Sequence, residues 1–127
     1  MLIGDHGGYQ TQLKAVAQKL NRDWAATPAR AHFIDEYYRV TQTAYVQALR
    51  AKGLTEAQIG QHAGAADTSL MLAVDPRLVR ADRLAAAPAA GDGTAGDPRP
   101  SSAALGQLGV DLIVGRSVAA IRRALVR

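Results

Sequence analysis

The 127-residue chain contains no cysteine and few aromatic residues. Without cysteine, disulfides and thiolate metal sites are excluded, so any metal ion must be held by His, Asp or Glu. Because only 5% of the residues are aromatic, the core must be built from Leu, Val, Ile and Ala. The length and ordinary composition predict a single domain over residues 1–127.

The sequence also lacks a signal peptide pattern after Met1 and an apolar run that approaches bilayer length. We therefore expect a cytoplasmic protein with no membrane partner. The net charge is +4, but the basic residues are mostly interleaved with acids and gather only near the C-terminus. This pattern is typical of a basic helix end, and no nucleic-acid partner is expected.

The first 34 residues show a β–α–β pattern. Leu2 and Ile3 predict the end of a buried strand, and Gly7 and Gly8 permit a tight turn. Residues 10–22 have apolar side chains at helical spacing. A proline then ends the helix, and residues 31–34 form a second apolar run. The segment is predicted to form two adjacent parallel strands joined by a right-handed crossover.

Helices are predicted for most of the remaining chain. One begins at the acidic residues 35 and 36 and ends at Gly53. A capping-box pattern, Thr55 with Gln58, predicts a short helix to about Ile59. Residues 67–74 predict a further helix, in which the apolar side chains Leu70, Met71 and Val74 are expected to be buried.

The C-terminal third is predicted as a loop followed by a long helix. Residues 85–100 are rich in Ala, Pro, Gly and Asp, which is typical of a long loop. Ser101 is the predicted cap of a helix that runs to the C-terminus. Its apolar stripe is expected to comprise Leu105, Leu108, Leu112, Val118, Ile121 and Leu125.

The chain has three histidines, and two of them are next to or near glycine at the start of a predicted helix. His32 lies in the second apolar run, where a hydrogen-bonded structural histidine is expected. His6 and His62 can instead face a cleft and carry chemistry. They can equally be ordinary turn residues in glycine-rich loops.

Asp67 follows His62 by five positions and stands in the first turn of a predicted helix. The two side chains could therefore converge on one cleft wall, although an acid at this place can also be a helix cap. Imidazole nitrogen and carboxylate oxygen together suit zinc, manganese or iron. Two or three such ligands are too few to hold a metal ion alone.

Three segments of the chain resemble conserved segments of the creatininase family of metal-dependent amidohydrolases. Residues 4–8, Gly-Asp-His-Gly-Gly, resemble the family's N-G-H-G-G-N segment. Residues 62–72 resemble its H-A-G-x-x-E-T-S-x-M-L segment, and residues 96–99 resemble its later G-D-P loop. The segments occur in the family's order and span nearly the whole chain.

The resemblance implies an α/β protein with a three-layer α/β/α fold. It also implies hydrolysis of a non-peptide C–N amide bond at a centre of two metal ions. His6 matches the family's metal-ligand histidine, and His62 matches the catalytic histidine that moves a proton to the leaving nitrogen. Asp67 matches the acid near or on the metal ions. In such chemistry a metal lowers the pKa of bound water and a histidine acts as general acid.

The sequence departs from the family pattern at two positions and in length. Tyr9 replaces an asparagine, and Asp67 replaces a glutamate, whose side chain is longer by one methylene. Family members are longer and carry a glutamate, a histidine and a bridging aspartate in an N-terminal half. The resemblance therefore predicts a fold truncated at the N-terminus. It also predicts that this chain is an incomplete fragment with a partial metal site and weak metal binding.

The resemblance leaves several functions open. The first is hydrolysis of a small cyclic amide or formamide by the full-length protein, which is expected to be a homo-oligomer. The second is a binding module in which the turn formed by His6, Gly7 and Gly8 holds an anion through backbone amides. The third is a remnant without catalytic activity.

Overall fold

The computed structural model describes residues 1–86, 90, 91 and 93–126, and it is predominantly helical in that part of the chain. The chain divides into two compact units, one formed by Met1–Gln42 with Ile113–Arg127 and the other by Thr43–Leu112. The helices are α1 (Gln10–Asp23), α2 (Glu36–Gln42), α3 (Ala44–Ala51), α4 (Glu56–Ile59), α5 (Ala65–Val74), α6 (Ala81–Leu84) and α7 (Ala103–Leu125). Two short 3-10 helices (Gly7–Tyr9 and Pro76–Leu78) and two strands, β1 (Ala90–Gly91) and β2 (Thr94–Ala95), complete the elements of the described residues.

The predicted three-layer α/β/α fold is wrong. In the described residues the two strands form one antiparallel pair of two residues each, which cannot provide the central layer of such a fold. The two predicted N-terminal strands do lie side by side, but they share only a single parallel bridge between Leu2 and Phe33. Each segment is short and lacks further strands to pair with in the part described, so no ladder extends from the bridge.

The first unit is held together by small and medium apolar side chains. Among the described residues, its buried apolar residues are Ala17, Ala31, Ile34, Val40 and Ala120. The bridge is made by two backbone hydrogen bonds, from Leu2 N to His32 O (2.7 Å) and from Ile34 N to Leu2 O (2.9 Å). The predicted amphipathic helix is confirmed by α1. The prediction that Ile3 is a buried strand residue is wrong, because its side chain is 52% exposed.

The second unit has its core around the fully buried side chains of Tyr45 and Leu49. Ile59 and Ala66 complete the buried cluster, and half-buried apolar residues pack around it: Val46, Leu54, Leu70, Leu105, Leu108 and Leu112. Helices α5 and α7 approach closely because position 106 is glycine. A Cβ added to Gly106 would lie 1.8 Å from the carbonyl oxygen of Ser69.

The single helix predicted from residue 35 to Gly53 is divided into α2 and α3. The break lies at Thr43, whose backbone angles (φ −128°, ψ −89°) are not helical. The capping box at Thr55 and Gln58 is confirmed, with both of its hydrogen bonds present. Helix α5 begins at Ala65, two residues earlier than predicted, and it leaves Met71 and Val74 exposed instead of buried.

The predicted loop over residues 85–100 is described only in part, because residues 87–89 and 92 lie outside the described residues. The described part contains the pairing of β1 with β2. In the helix that follows, the expected cap at Ser101 is wrong. The hydroxyl of Ser102 accepts the hydrogen bond from the Leu105 N–H (3.2 Å), as an N-cap does.

Helix α7 is unusually long and apolar for a chain in which no bilayer-length run was expected. By length and composition alone it could cross a membrane, although the core helix of a soluble protein passes the same test. Of the predicted apolar stripe, Leu105, Leu108 and Leu112 pack on the core, whereas Val118 and Leu125 are exposed. The cytoplasmic location and the absence of a membrane partner stay predictions.

Candidate functional site

His6 is fixed by local hydrogen bonds at the start of the first 3-10 helix. Its Nδ1 accepts a hydrogen bond from the Gly8 N–H (3.0 Å), and its ring lies against that of Tyr9 with centroids 4.7 Å apart. The side chain of Gln10 donates to the carbonyls of Gly4 and His6. In this state a neutral imidazole carries its proton on Nε2. To bind a metal through Nε2, the neutral ring would have to carry its proton on Nδ1 instead. Nδ1 could then no longer accept the hydrogen bond from Gly8.

His62 lies on the loop between α4 and α5, where backbone bonds hold it against β2. His62 N donates to Ala95 O (3.2 Å), and Ala95 N donates to His62 O (2.8 Å). The side chain is exposed. Among the residues that the structure describes, no hydrogen bond engages the imidazole. The loop therefore fixes the backbone of His62 while its ring can contact a ligand.

Three glycines without side chains allow the two loops to touch. Gly60 has a positive φ of 71°, and a Cβ on it would lie 2.3 Å from Ala95 O. A Cβ on Gly96 would lie 2.7 Å from the Cα atoms of both Gly60 and Gly64. We call this arrangement of Gly60, Gly64 and Gly96 the glycine clamp. The sequence identified the glycines beside His62 but gave no signal for their contact with Gly96.

Asp67 serves as a local support for the His62 loop. Its Oδ2 accepts a hydrogen bond from the N–H of Ala63 (2.9 Å). Ala63 has a φ of 52°, an uncommon value for a residue other than glycine, and the Asp67 bond compensates part of its strain. In the described part of the chain no hydrogen bond joins the Asp67 carboxylate to the His62 imidazole.

A pocket of about 440 Å³ opens beside Asp67 in the second unit. Its polar lining includes Thr68, Thr94, Arg80 and Arg83, and its apolar lining includes Met71 and Leu78. The pocket is large enough for a small molecule. His62 does not line it, but the adjacent Ala63 does.

The third segment of the resemblance, residues 96–99, is held by an ion pair. Arg99 donates to both carboxylate oxygens of Asp97, at 2.8 Å from Nε and 2.7 Å from the guanidinium end. These hydrogen bonds hold the pKa of Asp97 below its usual range. Asp97 N also donates to Gln58 O (3.3 Å), just before the His62 loop. The second and third segments of the resemblance therefore lie together in the second unit.

The match to a known family agrees with this arrangement. A family model described as creatininase, creatinine amidohydrolase, matches residues 1–121. The chain belongs to the creatininase family. Searches of curated proteins and of solved structures found no match. Membership of the creatininase family confirms the predicted resemblance and indicates an amidohydrolase.

Creatininase-family enzymes are generally metal-dependent, so a member needs side chains that can hold a metal ion. Within the described ranges no group of three or more His, Asp or Glu side chains is placed to hold a metal ion. In each of the two predicted ligands, His6 and Asp67, one potential ligand atom accepts a hydrogen bond from a backbone N–H. These residues do not fit a complete metal centre. Their roles as ligands, and that of His62 as catalyst, stay predictions.

His32 was expected to be a hydrogen-bonded structural histidine. It is half-buried, and its backbone carbonyl accepts the bond from Leu2 described above. Within the described residues its imidazole has no hydrogen bond. It lines a separate pocket of the first unit, of about 400 Å³, together with Lys14, Asn21, Glu36 and Arg123.

Proposed function

We propose that the protein in its full-length form is a metal-dependent amidohydrolase that cleaves a non-peptide C–N bond in a small cyclic amide or formamide. The family match over residues 1–121 carries the proposal, because it includes the His62 loop. Hydrolysis adds the oxygen of water to the carbonyl carbon and a proton to the nitrogen that leaves. The protein must therefore supply a proton at that nitrogen.

His62 is the proposed proton donor. Its backbone N–H and carbonyl are both hydrogen-bonded to Ala95, so the position of the residue is fixed. Its ring is exposed and can reach a ligand. A histidine is well suited to this role because its ordinary pKa lies near neutrality. The pocket beside Ala63 and Asp67 supplies a place for the substrate next to this loop.

Metal dependence is part of the proposal, with His6 and Asp67 as candidate ligands and zinc, manganese or iron as candidate ions. We derive no catalytic step from the metal, because the described donors do not complete a site. The expectation that the full-length protein supplies the other ligands, and forms a homo-oligomer, stays a prediction.

The experiment is an amide-hydrolysis assay of the purified full-length protein with each divalent metal and a panel of cyclic amides and formamides. We expect release of the amine product, and loss of that product in His62→Asn. His32→Asn is the matched control, since it removes a histidine outside the second unit. Equal activity of the His62→Asn variant and the wild type would contradict the assignment of His62. No product with any metal or substrate would contradict the proposed activity of the full-length protein.

The alternative of an anion-binding turn at residues 6–8 has less support. The Gly8 N–H, which an anion would need, already donates to His6 Nδ1. The alternative of a non-catalytic remnant predicts no hydrolysis under any condition, so the same assay separates it from the proposed function.

A further inference from the structure

The pocket beside Asp67, here called the Asp67 pocket, has apolar walls and a few charged groups. It lies wholly within the second unit. Its apolar lining comes from Ala63, Met71, Leu78, Val79, Leu84 and Pro98. Pockets for small molecules usually combine such walls with a small number of polar groups that orient the ligand. The charged groups of the Asp67 pocket therefore indicate which ligands it selects.

Arg80 is the charged residue of this lining that is most available to a ligand. The residue is exposed at the pocket. Among the residues that the structure describes, no hydrogen bond or ion pair engages its guanidinium group. A guanidinium group always carries a positive charge and presents five N–H donors. An anion in the pocket would therefore meet a cation that no described side chain neutralises.

The two other arginines of the same segment already have carboxylate partners. Arg77 donates to both oxygens of Asp75, at 3.0 Å from Nε and 2.7 Å from the guanidinium end, and it does not line the pocket. Arg83 lines the pocket but is paired with Asp82 at 3.7 Å. Arg80 thus differs from both neighbours in the described structure.

The backbone on both sides of Arg80 is held by local hydrogen bonds. Before it, Val79 N donates to Pro76 O (3.2 Å), and after it, Arg83 N donates to Arg80 O (2.9 Å). The side chain of Arg80 therefore extends from a defined place at the pocket. A ligand that binds there needs to order the side chain but not the backbone, which lowers the entropic cost of binding.

The charges of the pocket favour a ligand with one negative charge. Arg80 supplies one positive charge without a described partner, whereas Asp67 places a carboxylate in the same lining. A phosphate group carries nearly two negative charges, so Asp67 would repel it more strongly than it repels a carboxylate. A carboxylate also has two oxygens that match two parallel N–H donors of an arginine. The pocket is therefore best suited to a carboxylate attached to an apolar body.

We propose that the Asp67 pocket binds a small amide that carries a carboxylate, and that Arg80 selects this group. The apolar walls enclose the body of the molecule, and Arg80 binds its carboxylate. Because Ala63 lines the pocket, the bound amide lies next to the loop that carries His62. The assignment of this molecule as a substrate rests on the proposed function, whereas binding of the carboxylate does not.

Binding is tested on the full-length protein by nuclear magnetic resonance titration with cyclopentanecarboxylate, which has no amide and cannot be hydrolysed. Cyclopentylmethanol is the uncharged comparison compound of similar size. The carboxylate should bind about tenfold or more tightly than the alcohol. Arg80→Gln should weaken binding of the carboxylate by about tenfold or more and leave that of the alcohol unchanged. Arg80→Lys keeps the charge but loses the planar fork, so it should give an intermediate affinity.

Arg77→Gln is the matched control for Arg80→Gln. Arg77 is an exposed arginine three residues earlier, but it lies outside the pocket. The control variant should bind cyclopentanecarboxylate like the wild type. Circular dichroism checks that each variant is folded, as expected for changes at exposed positions.

Hydrolysis is tested separately on the full-length protein with 5-oxoproline and 2-pyrrolidinone, two cyclic amides that differ only in the carboxylate. We expect kcat/KM to be higher for 5-oxoproline by about tenfold or more. Arg80→Gln should remove this preference by raising KM for 5-oxoproline, because the carboxylate is bound before and during the reaction alike.

The two experiments separate failure of this inference from failure of the proposed function. The inference is overturned if the wild type does not prefer cyclopentanecarboxylate to the alcohol, or if Arg80→Gln binds the carboxylate as well as the wild type. An equal loss in Arg77→Gln, or hydrolysis of both cyclic amides at the same kcat/KM, would also overturn it. Selective, Arg80-dependent binding of the carboxylate without hydrolysis of any amide would support the carboxylate site and contradict the proposed function.

Discussion

Two hydrogen bonds join the side chain of Asn21 to the backbone of Ala31, in place of the bonds that a neighbouring strand would make. The Asn21 amide donates to Ala31 O, and Ala31 N donates to Asn21 Oδ1, both at 2.8 Å. The side chain thus satisfies the backbone of a buried residue next to the Leu2–Phe33 bridge. Helix α1 is thereby fixed to the segment that follows it.

Replacement of Asn21 by Ala should destabilise the protein by about 1–3 kcal/mol, because it leaves the partly buried polar groups of Ala31 without their partners. Urea unfolding measures the loss. Gln18→Ala, an exposed change on the same helix, is the control and should alter the free energy of unfolding by less than about 0.5 kcal/mol. Equal losses in the two variants would show that the Asn21 bonds do not stabilise the unit.

Replacement of Gly60 by Ala should cost about 2 kcal/mol or more, since the new Cβ clashes with Ala95 O and the positive φ is strained. Gly53→Ala is a matched control. Gly53 also has a positive φ, of 90°, but no atom lies within 4 Å of its added Cβ. We expect Gly53→Ala to lose only the backbone term, about 1 kcal/mol. Denaturant unfolding of both variants separates the clash from the strain, and identical losses would refute a clash in the glycine clamp.

Ser117 and Ser69 are expected to respond oppositely to replacement by Ala. The buried hydroxyl of Ser117 has no hydrogen-bond partner in the described structure, so Ser117→Ala should be neutral or stabilising. The Ser69 hydroxyl is fully buried and accepts from Ser102 N (3.2 Å), so Ser69→Ala should cost about 1–3 kcal/mol. Thermal unfolding compares them. A large loss in Ser117→Ala would reveal a partner for that hydroxyl.

Tyr45 should make stability depend on pH in alkaline solution. Burial, and next the negative charge of Asp67, raise the pKa of Tyr45 to about 12. A group whose folded pKa is raised contributes stability that is complete below its unfolded pKa, about 10 for tyrosine. That contribution is lost as pH rises from about 10 through 12. Parallel urea titrations of wild type and Tyr45→Phe should therefore show a stability difference that shifts toward the variant over this range. A constant difference would contradict the raised pKa.

The sequence predicted the helices better than it predicted the sheet, for a physical reason. Helical spacing and caps are local, so the first amphipathic helix and the Thr55 capping box could be read from neighbouring residues. A strand is stable only if distant segments pair with it, and residues 2 and 31–34 contain no information about missing neighbours. The apolar pattern of residues 35–53 also gave no indication of the break at Thr43.

The candidate site was predicted in its residues more than in its contacts. His62, Asp67 and the segment 96–99 were identified from the sequence, and the structure places their loops together. The bond from Ala63 to Asp67 corresponds to the local, cap-like role that was weighed against ligation. The glycine clamp could not be predicted, because it depends on how closely two distant backbones approach.

Because of the glycine clamp, the shape of the His62 loop and the chemistry of His62 depend on different residues. Any replacement of Gly60 introduces a Cβ where backbone already lies, so folding alone disfavours a side chain at this position. Exchange of His62 removes no described side-chain hydrogen bond and should cost little folding energy. A lineage could therefore lose or exchange the imidazole in one mutational step while the loop that carried it persists.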